Sequence, residues 1–84
     1  MIFMTLKTIE DAKKLSRICE TYSDKMEVDV LTSRYTVDGA SLLGVMSLLG
    51  LIVEIRPITD DYLLKTYFLR EVEKIGAYEV VTNG

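Results

Sequence analysis

Few side chains in this 84-residue chain can do chemistry. It has no histidine, so no imidazole is available as a base, a phosphoryl acceptor or a metal ligand. The single thiol, Cys19, has no second cysteine to pair with and would need a base partner to act as a nucleophile. Its spacing with Ala12, Leu15, Ile18 and Tyr22 is helical and predicts a buried, inert position. Glu10 could carry an acyl phosphate, but Asp11 beside it would repel an incoming dianion. Both carboxylates suit the first turn of a helix better. Ser41 is the remaining candidate, a hydroxyl that a kinase could modify. No loop of spaced acids and no phosphate-cradling glycine motif is present, so neither a metal nor a cofactor is expected. Tyr62, Tyr67 and Phe68 read as core and boundary residues of a helix, not as a stacking platform.

The elements that hold these residues follow from periodicity. Ile2 to Lys7 reads as a strand, and Thr8 then opens a helix with Asp11 three residues on, a form of capping box. Lys13, Lys14, Ser16, Arg17 and Glu20 are expected on the helix's solvent side. Met26 to Val30 alternates as a half-buried strand, Leu31 to Arg34 turns, and Tyr35 to Val37 pairs back. After the turn at Asp38-Gly39, Ser41 caps a short apolar helix, Ser41-Leu42-Leu43-Gly44-Val45-Met46-Ser47-Leu48-Leu49, which stops at Gly50. Spacing sends Val45 and Leu48 inward and leaves Leu42, Leu43 and Met46 on the other edge. Leu51 to Arg56 is a strand ended by Pro57, and Thr59 caps a last helix through Leu64, Phe68, Val72 and Ile75 that closes at Gly76. Tyr78 to Val81 has strand character and could pair with a sheet edge or a second chain.

The order β-α-β-β-α-β-α predicts an α+β fold, an antiparallel sheet with helices on one face. The length allows one domain. A net charge of −3 with interleaved signs gives no electrostatic grip on nucleic acid. The apolar run Leu42 to Val53, broken by two glycines and Ser47, is too short to cross a membrane. The first residues, Met1 to Lys7, lack the basic start of a signal peptide, and a cytoplasmic location is expected.

Ser-Leu-Leu-Gly-Val-Met-Ser-Leu, from Ser41 to Leu48, resembles the second-helix motif of HPr, the histidine phosphocarrier of the bacterial sugar phosphotransferase system, in its Gram-positive form. The resemblance implies an HPr-like open-faced β-sandwich over residues 1–76, with 77–84 as a tail. It also implies that Ser41 matches the regulatory serine modified by HPr kinase, and that Leu42, Leu43 and Met46 match the partner-docking surface. Family partners are enzyme I, enzyme II domains, the kinase and a catabolite-control transcription factor. The phosphocarrier centre does not carry over. Counting back from Ser41, Glu10 stands at the histidine position, Ala12 at the arginine and Lys13 at the proline. Leu48 to Leu51 also passes almost directly into the strand, where the family has several more residues. The expectation is a non-enzymatic, regulatory or binding module with protein partners. The alternative is an interaction protein of the same fold with no role in sugar transport, a homodimer through the second helix or the tail.

Overall fold

The structure, a computed structural model, describes residues 1–81. Alternation builds its sheet. Strand β1 (Ile2–Thr5) turns Ile2 and Met4 inward, β2 (Glu27–Leu31) does so with Val28 and Val30, and β4 (Ile52–Ile58) with Val53 and Ile55. Strand β3 (Thr36–Asp38) and the two-residue β5 (Tyr78–Glu79) form the edges. All pairs are antiparallel, in the order β3-β2-β4-β1-β5. Helices α1 (Ile9–Thr21), α2 (Leu42–Met46) and α3 (Tyr62–Glu73) join their buried residues to the same core as those inward strand residues. The fold is therefore α+β, with an open five-stranded sheet and three helices.

Local chemistry fixes the boundaries. The box at the start of α1 is closed in both directions: Asp11 N–H donates to Thr8 Oγ1 (3.2 Å) and Thr8 N–H to Asp11 Oδ2 (3.0 Å). Asp11 also accepts from Lys7 N–H at 2.9 Å. The cap of α3 is Asp61, whose Oδ1 accepts from Leu64 N–H at 3.1 Å. Thr59, the cap expected from sequence, instead accepts from Asp61 N–H and shapes the turn before it.

Strand β4 also runs past Pro57, its expected end, to Ile58. Backbone bonds between Met1 and Val80 point Met1 toward β5, so Ile2 and its partner Ile55 face each other across the β1–β4 pair. Two residues on, Pro57 presents its nitrogen to the same side, beyond the last β1–β4 pair. No N–H is needed there, and the ladder to β2 continues at Glu27 and Ile58.

The edge strand β5 lies in the segment expected as a tail; Tyr78 pairs with Phe3 and Glu79 with Ile2. The rest of that segment, 82–84, falls outside the described residues. The core is filled by Phe68, Met4, Leu6, Leu15 and Leu48, with Tyr22 meeting Phe68 edge-on at 5.4 Å. In a domain this small, losing a ring such as Phe68 would cost about 3–5 kcal/mol, a large part of the total stability.

Candidate functional site

Helix α2 stands on a stepwise-tied turn. Gly39 N–H donates to the Val28 carbonyl at 2.8 Å, and Ala40 N–H donates to Asp38 Oδ1 at 2.9 Å. Ser41 N–H donates to the Asp38 carbonyl at 3.0 Å. Ser41 is then the N-cap, its Oγ accepting from Gly44 N–H at 3.2 Å with the residue itself exposed. The exit is tied as well. Gly50, at φ +88°, donates to the Leu6 carbonyl at 2.7 Å, and Leu6 N–H donates to the Leu51 carbonyl at 3.0 Å. A short helix with both ends bonded to the sheet holds its side chains in fixed directions.

Those directions separate the apolar residues. Val45 and Leu48 are buried in the core. Leu43 is 81 % exposed and Leu42 38 %. Met46 is half-buried and packs against the core. Gly44 lies over β3, where a Cβ would come within 3.2 Å of Val37 Cβ. Its missing side chain lets the helix sit low on the sheet.

Glu10 is exposed in the first turn of α1, its Oε1 3.5 Å from Lys13 Nζ. It takes no part in the capping box, which uses Asp11. Lys13 also lines a shallow cleft of 330 Å³ with Ser16, Arg17, Glu20 and Leu42, where α1 meets α2. Sequence reasoning put the α1 members of this group on the solvent side. Ser16 is in fact buried, one turn after the buried Ala12 and beside the cleft it shares with Leu42 of α2. The spacing of 13, 16, 17 and 20 marks one stripe of α1; what a sequence cannot supply is the helix lying across it.

Cys19 is buried as expected, 1 % exposed. Burial, and secondarily the charge of Asp38, pushes its thiol up to about 12, so no thiolate forms near neutral pH. Burial and Glu71 also raise the Tyr22 hydroxyl. Among the described residues no group of three or more His, Cys, Asp or Glu side chains could hold a metal ion, and no helix is long and apolar enough to cross a membrane. The site is thus a surface, an apolar helix edge opened by a serine and flanked by a mixed-charge cleft. Compared with family models, curated proteins and solved structures, the chain has no match in any of the three.

Proposed function

We propose that this chain is an HPr-like protein without histidine phosphocarrier activity. It works in the cytoplasm as a regulatory or binding module that docks protein partners through α2 and is switched by phosphorylation of Ser41. The observation that carries this reading is the 81 % exposure of Leu43, beside Leu42, on a helix held at both ends. An apolar side chain fixed in that position is poised to be covered by a partner. The element order β1-α1-β2-β3-α2-β4-α3 supports the finer fold assignment, an open-faced sandwich of the HPr kind with β5 added at its edge. The exposed Ser41 hydroxyl supports the switch, since a kinase can reach it without unfolding the chain. Phosphate there would add charge directly beside Leu42 and change which partners fit.

The test is intact mass after incubation with HPr kinase and ATP, with Ser41→Ala alongside. The expected result is one added phosphate that Ser41→Ala does not take up. No addition, with authentic HPr modified in the same tube, removes the switch and leaves Ser41 as a cap. The exposed leucines would also serve the alternative, a homodimer with no role in sugar transport; sedimentation of Leu43→Asp beside the parent protein separates the two.

A further inference from the structure

The sheet face turned away from the helices departs from the polar pattern of a solvated antiparallel face. Register places Leu31, Glu54, Phe3 and Tyr78 in one row across four strands, with Ile52 beside Thr5 in the next. Ile52 stands on the central strand β4 and is 61 % exposed. The Phe3 and Tyr78 rings lie 6.1 Å apart. Two clefts of 320 and 340 Å³ share Thr32, Ser33 and Ile52; one is bounded by Phe3 and Leu31, the other by Leu51 and Tyr35. Together they make a mixed groove on the uncovered face, its apolar residues interrupted by Thr32, Ser33, Glu54 and, at the Tyr35 end, Arg34.

Along the strands the same face turns acidic. Asp29 stands opposite Asp38 on one side and Arg56 on the other, and Glu27 stands opposite Ile58. Like charges directly opposite one another destabilise a strand pair. Arg56 is engaged by Glu54 at 3.0 Å. The other ion pairs among the described residues, Glu10–Lys13 and Glu71–Lys74, belong to α1 and the end of α3. Arg56 faces Asp29 while paired with Glu54, and no ion pair among the described residues engages Glu27 or Asp29.

We infer that the open sheet face docks a cationic, amphipathic segment of another protein, its apolar side chains in the groove at Ile52 and its lysines or arginines against Asp29 and Glu27. Charge complementarity selects this occupant. A second copy presents the same excess of carboxylates and is a poorer match for this face than a cationic segment. Nucleic acid and anionic lipid are repelled by the same carboxylates. This surface is separate from α2, and the inference stands whether or not Ser41 is a switch.

The test is an NMR titration of the isotope-labelled chain with a short synthetic peptide of alternating leucine and lysine. A leucine–glutamate peptide is the control. Saturable shifts are expected at the amides of Phe3, Leu31, Ile52 and Tyr78, with the control binding at least about tenfold more weakly. Ile52→Thr, an exposed and still β-branched substitution, is expected to weaken binding about tenfold with an unchanged spectrum elsewhere. Glu27→Gln with Asp29→Asn should lower the affinity and flatten its salt dependence. Equal binding of both peptides, shifts centred on α2, or no saturable binding overturns the inference. So does a dimer in sedimentation whose formation shifts these same amides without peptide, since the occupant would then be a second copy.

Discussion

A Cβ built on Gly39 would lie 2.7 Å from Cys19 Sγ and 3.0 Å from the Val28 carbonyl oxygen. Neither neighbour yields easily: the thiol is walled in by core, and the carbonyl already accepts from Gly39 N–H. Gly39→Ala is therefore expected to destabilise the fold by about 1–3 kcal/mol, measured as a lower urea midpoint. Adding Cys19→Ala should restore part of the loss by removing the nearer clash. The sequence shows a glycine in a turn and a cysteine at a helical core spacing. It does not show that the two meet, because they belong to different elements and their contact exists only after α1 docks on the sheet. Ser16 was obscured for the same reason. Cys19 and Ser41 were legible, since burial by periodicity and capping by position are local properties.

At the scale of elements, local signals worked where a side chain satisfies its own neighbours. The Thr8–Asp11 box and the inward residues Val28 and Val30 are of that kind. They failed at Thr59, where two candidate caps two residues apart compete and helix geometry selects Asp61. Asp61→Ala is expected to cost about 1 kcal/mol and to lower Tm by about 4–8 °C, with a smaller effect for Thr59→Ala. Thermal unfolding followed by circular dichroism checks both, and a larger effect from Thr59→Ala would contradict the capping assignment. The proline rule failed too, because whether a missing N–H matters depends on which side of the strand has a partner, and Pro57 faces a side without one. For the candidate site, spacing anticipated the outward Leu43, but not how far Met46 leans on the core, which depends on the body of the protein beneath it.

For the whole molecule, the Cys19 thiol links stability to alkaline pH. Burial holds its folded pKa at about 12, above the ordinary thiol value of 9.0. Below pH 9.0 both states hold the proton and the full stability is present. Between 9.0 and about 12 only the unfolded chain releases it, so stability falls as pH rises. The slope from this one group is about 1.4 kcal/mol per pH unit, and the raised Tyr22 hydroxyl acts in the same direction. Urea midpoints across this range are expected to drop more steeply for the parent chain than for Cys19→Ala; equal slopes would show that the thiol does not control the effect. The open face is also a whole-molecule property. Alternation in the sequence tells which residues leave the core, but only strand order lines up Leu31, Phe3 and Tyr78 into one surface.

The pairing of Met1 with Val80 sets how the molecule responds to load. The Met1 ammonium donates to the Val80 carbonyl at 2.9 Å, so residues at opposite ends of the described chain share one end of the β1–β5 ladder. Tension applied at Met1 and Val80 pulls across the strands and strains their bonds one at a time instead of sharing the force among them. Strand β5 is expected to peel away first, at low force, baring the edge of β1 while β4 still holds β1 on its other side. Mechanically, the described chain is expected to open like a zip at the seam between Met1 and Val80.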